Sequence, residues 1–462
     1  MRATRLQWLG FAMVLGGVMF SSPAEGQDAH YWTDQLGNRA QLLAGAVIGS
    51  DEDLSAVFYN PGRIGRGVQP ELILTGNIFE LEKLTVEEGE PPNRKADQLR
   101  FRGVPSLFAG EIYGKWLGRN RLAYSFFTRF DSSFRSTARF GETFAPGDFE
   151  FEFFEDEVQL DSSLSEHWAG LTWARPVGPR QGVGVSTFVA VRNDRTRITN
   201  VRQAIFDSGD LGIAYKNQDL DFYDWRVLWK AGYSTEFSDW RLGVTLTTPS
   251  LQLFGSGSLN FDDSLVTTTD PTLIDDRIIS TSQKDLSAEY KSPLSFGFGA
   301  SRDFGSHSIH FAIEWFDSVA PYTVVEAEPF ENQETGELID PDIVHSLDSV
   351  TNFAIGYEKR FNNGTRAFGG FRSDFSAAPD RGESDLAVSD WDLWHIAGGV
   401  SFAIGKSSMT LGTVYAFGSS EASPVLVDQE DPIKLGFSRL TFILGFDFAT
   451  KSHDRGDVTT KD

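Results

Sequence analysis

The sequence predicts an all-β membrane protein: a transmembrane antiparallel β-barrel of about fourteen strands with an N-terminal plug, or hatch, inside its lumen. Three observations carry that expectation. After an apolar leader there is no second long apolar run, so the exported chain could cross a membrane only with strands. From about residue 70 the hydrophobic pattern has a period of two. Phe (39), Trp (11) and Gly (45) are abundant, which suits strands whose residues alternate between lipid and water.

The leader has Arg2 and Arg5, then the apolar run 8–20, then "SSPAEGQ" with Ala24 and Gly26 at −3 and −1 of a cleavage site. This pattern predicts a secretory signal peptide over residues 1–26. Its 13 apolar residues fall short of the roughly 20 that a spanning helix needs. The 462 residues include no cysteine, which fits a bacterial envelope protein. A net charge of −24 argues against nucleic acid, whose phosphates need a basic footprint. The predicted order is signal peptide (1–26), hatch (27–69), barrel (70–448) and polar tail (449–462).

The strands follow from alternation. "RLAYSFFTRF" sets Leu122, Tyr124, Phe126, Thr128 and Phe130 against Arg121, Ala123, Ser125, Phe127 and Arg129. "WRVLWKAGY" sets Trp225, Val227, Trp229, Ala231 and Tyr233 against Arg226, Leu228, Lys230 and Gly232. "SIHFAIEWF", "FAIGYEKRF" and "LTFILGFDF" behave alike. Candidate strands fall near 71–86, 103–114, 120–139, 163–176, 182–198, 223–236, 239–261, 284–303, 306–325, 348–362, 365–375, 390–405, 408–418 and 436–448. About 380 residues give roughly 27 per strand, enough for a spanning segment of about ten and a loop.

In a soluble sandwich the apolar faces would meet in a core. Aromatics near strand ends, such as Trp173, Trp225 and Tyr233, favour the barrel instead. "DFGSHS" (303–308), "FNNGTR" (361–366) and "AIGKSS" (403–408) read as tight hairpins. Longer acidic connections lie at 86–98, 261–276, 326–342 and 419–432. They read as solvated loops, and could also hold divalent cations against lipopolysaccharide. The last strand ends on Phe448, similar to the signal read by the barrel assembly machinery, with a polar tail after it.

Residues 27–69 do not alternate and are too few to core themselves, so they must pack on something, and the lumen is the obvious place. Within them "DLSAVFYNPGRIGRG" (53–67) holds Asn60-Pro61-Gly62, read as a stiff turn. Gly37, Arg39-Ala40, Gly45-Ala46, Asp51-Glu52-Asp53, Ser55-Ala56 and Tyr59-Asn60-Pro61 resemble the hatch of the FadL/TodX outer-membrane transporters of long-chain fatty acids and aromatic hydrocarbons. "GVTLTTPSLQLFGSG" (243–257) and "KSPLSFGFGASRDF" (291–304) resemble that family's Ser/Thr-Pro strand segments. Gly62 departs from the family's usual Ala and would loosen the turn.

The resemblance implies passive uptake: a hydrophobic ligand binds, the hatch shifts, and a kinked third strand leaves a lateral gap into the lipid. Phe58 and Tyr59 would line the pocket floor, and Asn60, Pro61 and Gly62 would form the hatch turn. The kink would fall in "FDSSFRS", at Asp131, Ser132 and Ser133. Arg226, Lys230 and Arg241 are inward by strand parity and could meet a ligand carboxylate; equally, each could neutralise inward Glu314, Glu358 or Asp447. No nucleophile motif or metal spacing such as H-E-x-x-H appears, so no catalytic residue, metal or cofactor is expected. The expected partners are a hydrophobic small molecule, outer-membrane lipid, lipopolysaccharide and the assembly machinery, with the protein as a monomer. The competing readings are a scaffold or secretion-partner barrel and a general porin.

Overall fold

A computed structural model describes residues 29–67, 72–87, 94–100, 105–140, 151–206, 209–268, 277–333, 335–379, 384–386, 391–405, 407–422 and 433–448. The expected signal peptide and polar tail lie outside the described residues, as do parts of the loops at 86–98, 261–276 and 419–432.

Fourteen antiparallel strands close into a barrel. In chain order they are β1 (Leu72–Glu87), β2 (Arg94–Arg100 and Pro105–Ile112), β3 (Arg121–Phe140), β4 (Phe151–Gly178), β5 (Gln181–Phe206), β6 (Leu211–Phe237) and β7 (Trp240–Thr247 and Leu251–Thr267). Then come β8 (Arg277–Ala288 and Ser295–Phe304), β9 (His307–Phe316 and Val319–Glu326), β10 (Ile343–Leu347 and Val350–Arg360), β11 (Arg366–Asp374), β12 (Asp392–Ile404), β13 (Ser407–Ala422) and β14 (Ile433–Phe448). β14 pairs with β1 from Leu72↔Phe448 to Glu87↔Lys434, which closes the sheet and removes its edges. Every strand expected from the alternation is present.

One end of the barrel carries tight turns, where Ser238, Gly305, Gly364 and Gly405 adopt positive φ. The three hairpins read from the sequence all lie there. Exposed rings mark the outer wall at two levels: Phe237, Trp240, Phe304, Phe361, Phe402 and Phe448 near the tight turns, and Tyr223, Trp225, Phe254 and Trp315 nearer the long loops. Apolar side chains fill the wall between them. That belt is the surface of a barrel that spans a membrane.

Beyond the belt the sheet continues. β4, β5 and β6 run well past their expected ends at the long-loop side, and their outer face there holds ion pairs such as Arg135–Asp161 at 2.6 Å and Arg197–Asp219. With water on the outside, the hydrophobic period fades although the pairing goes on. Four neighbouring strands are instead broken at one level: β7 at 248–250, β8 at 289–294, β9 at 317–318 and β10 at 348–349. Pro249 and Pro293 sit in the first two breaks, since proline cannot donate to a ladder.

Residues 29–67 lie inside the wall. They form α1 (Asn38–Leu42), α2 (Ala56–Tyr59), α3 (Pro61–Arg66) and tight turns between them. Leu36, Leu42, Leu43, Ile48, Leu54 and Ile64 are all buried, packed among inward residues such as Phe127, Phe188 and Ile443 or near Ala312.

Candidate functional site

Asn60-Pro61-Gly62 does not form the stiff turn expected; it starts a helix. The Asn60 side chain accepts from Gly62 N at 3.0 Å and caps α3, and Pro61 takes the first helical position, where its missing N–H costs nothing. The Asn60 amide also donates to Ile48 O at 2.8 Å and to Tyr233 O at 3.1 Å. Gly62 does not loosen this region. A Cβ there would stand 2.8 Å from Gly232 O and 2.9 Å from Gly182 O, so glycine lets α3 touch the backbones of β5 and β6. Gly232 reciprocates, with a Cβ position 2.2 Å from Asn60 Oδ1.

Ion pairs extend this contact. Arg39 forks onto Glu358 at 2.8 and 2.9 Å, and both are buried. Glu52 meets Arg241 at 2.6 Å and Arg366 at 3.0 Å. Arg63 and Arg66 hold Glu236 at 2.7 and 2.8 Å. Asp51 accepts from Ser55 Oγ at 2.8 Å; burial pushes its carboxyl well above the usual range, and neighbouring Asp53 adds to that. His310 is enclosed here too, with Nδ1 2.8 Å from Ser50 Oγ and Nε2 3.4 Å from Arg39. Ser50, His310 and Glu358 border none of the described cavities.

The opposite side is apolar. Phe58 points away from α3 into a ring cluster: Phe127 at 5.5 Å, Trp168 at 6.1 Å, and Phe188 behind them, 5.3 Å from Trp168. Above Phe58 opens a cavity of about 70 Å³. Phe130, Leu228 and Phe316 line it with Phe58 and Trp168, and the β8 break delivers Tyr290 and Pro293.

The β3 wall of this cavity is irregular. The β3–β4 register shifts between Thr128 and Phe130. Such a bulge re-aims side chains, so Arg129 and Phe130 are both buried and both line the cavity. Phe130 therefore faces the lumen, not the outer face that strict alternation assigns. The kink expected at Asp131, Ser132 and Ser133 is displaced as well: those residues pair in register with Ser165, Leu164 and Ser163. Below the bulge β3 pairs with β2 from Ile112↔Leu122 to Leu107↔Phe127; above it the described residues of β3 pair only with β4.

The other expected site residues separate. Phe58 is on the cavity wall. Tyr59 is not: it is buried in the N-terminal segment, donating to Gln35 Oε1 and accepting from Leu36 N, each at 2.8 Å. Arg226 and Lys230 line the cavity but are paired. Arg226 sits 2.6 Å from Glu166 and 3.2 Å from Asp224; Lys230 sits 3.3 Å from Glu314. Arg241 lies away from the cavity, held by Glu52 and by Asp303 at 2.7 Å. Lys230 thus neutralises Glu314, as the alternative reading of these cations had it. Glu358 instead serves Arg39, and Asp447 accepts from Asn38 and Ser408.

No protein-family model matches the chain, and no curated protein does. Solved structures match it at low identity. A Pseudomonas aeruginosa FadL homologue shares 12% identity over 91% of this chain and 99% of its own, with a TM-score of 0.58. The P. putida toluene transporter TodX gives 12%, 90%, 99% and 0.56, and the CymD monoaromatic hydrocarbon channel 13%, 90%, 98% and 0.53. The chain shares the FadL/TodX barrel fold.

Proposed function

We propose that the protein is a passive outer-membrane uptake channel for hydrophobic small molecules, in which residues 29–67 act as a hatch that turns the ligand sideways into lipid. The observation that carries this reading is the aromatic cavity above Phe58, enclosed by the barrel and bounded by the β3 bulge. Water is a poor solvent for an apolar ligand, so an open aqueous pore would not speed its passage. A chain of apolar surfaces would.

The direction follows from what surrounds the cavity. Straight ahead lie buried ion pairs and close backbone contacts, where an apolar group gains nothing. To the side, the β2–β3 pairing of the described residues ends at Leu107↔Phe127, and the exit into lipid would lie there. Phe58 would be the ligand-facing residue of the hatch, and Asn60, Pro61 and Gly62 its anchor. The filled lumen weighs against a general porin, and the enclosed cavity against a pure scaffold. The neighbours named as hydrocarbon and toluene transporters carry the same fold.

The test is binding and conductance. Protein purified in detergent should bind an apolar ligand stoichiometrically, shown by extraction, mass spectrometry and competition with labelled toluene or dodecanoate. In planar bilayers it should show no large steady conductance. A non-binding protein, or a wide ohmic pore, would overturn the proposal.

A further inference from the structure

The outer wall carries its cations in two ways. At the long-loop end outward arginines meet acids: Arg135 meets Asp161, Arg139 meets Glu157, and Arg195 and Arg197 meet Asp219. At the tight-turn end stand two outward cations, Arg302 on β8 and Lys359 on β10. Among the described residues neither has an acid within 4 Å. The acids beside them in sequence face the lumen: Asp303 holds Arg241 and Arg360, and Glu358 holds Arg39. Strand parity thus puts the acids inside and leaves the cations outside.

Rings hold both cations. The Arg302 guanidinium lies 5.3 Å from the Trp240 ring and 4.9 Å from the Phe304 ring, and the Lys359 ammonium 5.2 Å from the Phe361 ring. Those rings belong to the aromatic level near the tight turns. A long cationic side chain at such a level lies along apolar surface and brings its charge to the head groups. Only β9 separates β8 from β10, so the two cations stand about 10 Å apart across the sheet. Farther into the membrane Phe296, Ile309, Phe311 and Ile355 are exposed on the same three strands. The face therefore offers an apolar wall and, at one end of it, two cations with unspent donors. Short turns face the periplasm in bacterial barrels, so the lipid at this level is that of the periplasmic leaflet. A guanidinium fork matches a phosphate, and two cations without acids favour a head group of net negative charge over a zwitterion. We infer that Arg302 and Lys359 form a binding site for an anionic phospholipid of the periplasmic leaflet, with its phosphate on the cations and its acyl chains along β8–β10. The site lies outside the barrel and does not rest on the proposed uptake function.

The experiment is native mass spectrometry of the full-length protein, released from nonionic detergent micelles that hold equal amounts of phosphatidylglycerol and phosphatidylethanolamine with the same acyl chains. It compares the parent, Lys359→Gln, Arg302→Gln/Lys359→Gln, and Arg197→Gln at the other end of the same wall. The readout is the ratio of the two lipids retained, because a general loss of fold would lower both together. The parent should prefer phosphatidylglycerol by about tenfold, the worth of a charged hydrogen bond. The double variant should bring the ratio close to one, Lys359→Gln should fall between, and Arg197→Gln should keep the parent ratio. A parent without preference, a double variant that retains it, or an Arg197→Gln protein that loses it equally would overturn the assignment.

Discussion

Residues 29–67 meet the barrel wall through two different faces. Toward β5, β6, β8 and β10 the contact is polar and close: Gly62 against Gly232, a Cβ on Gly49 only 2.6 Å from Gly299 O, and Arg39 forked onto Glu358. Around Phe58 it is apolar and incomplete: the ring reaches Phe127 on β3 and Trp168 on β4, and space remains above it. The first face has direction, since each pair fits one geometry. The second has surface and room, which is what a hydrophobic ligand uses. On the proposed reading, one short segment combines a latch with one wall of a binding site.

Substitutions can break each face separately. The largest effect should come from Arg39→Met, which removes the nearer of the two guanidinium partners of the buried Glu358 carboxylate and leaves only Arg366 at 3.4 Å, at a cost of up to about 3–5 kcal/mol. The temperature at which the folded band is lost on a semi-native gel should drop markedly. Gly232→Val should follow, at about 1–3 kcal/mol, because its side chain would enter the space of Asn60 and Pro61. Protease cleavage within 29–67 should accelerate before the barrel itself melts. Phe58→Ala should show the reverse signature: ligand affinity lower by about tenfold from a lost aromatic wall, with little change in melting. If Phe58→Ala unfolds the segment and Arg39→Met does not, the division between the faces is wrong.

The smallest effect should be electrostatic. The folded-state pKa of Asp51 is raised, chiefly by burial and then by Asp53, with Arg39 opposing. Its contribution to stability is therefore complete below the ordinary carboxylate value near 4 and is lost as pH rises through the raised value. The segment should resist proteolysis better at pH 5 than at pH 8. Asp51→Asn should narrow that difference without abolishing it, because Asp53 is raised as well.

The strands were legible because lipid and lumen impose opposite solvents on alternate residues. Parity alone placed Arg226, Lys230 and Arg241 inside. It failed where its cause fails. At the β3 bulge one extra residue shifts the count, so Phe130 and the true irregularity were missed. Past the membrane belt the outer face of β4–β6 carries exposed ion pairs in place of apolar residues, so their lengths were underestimated. Ion-pair partners were the least legible. Glu166 and Arg226 are 60 positions apart, and only strand register brings them to 2.6 Å. Asn60-Pro61-Gly62 carried its signal plainly, but Asn-Pro opens helices as readily as turns, and the choice needed the β5–β6 backbone.

The central claim is that the ligand leaves sideways past β3 while the latched face of the hatch stays in place. The most direct measurement fixes the segment to the wall at β1, outside the cavity above Phe58. Asn38 Oδ1 accepts from Thr75 Oγ1 on β1 at 2.7 Å, and the chain has no cysteine of its own. An Asn38→Cys/Thr75→Cys protein can therefore be oxidised and reduced in the same proteoliposomes while uptake of a labelled hydrophobic ligand is followed. The account predicts equal uptake in both states. Uptake lost on oxidation and recovered with reductant would show that the whole segment must move, and would contradict it.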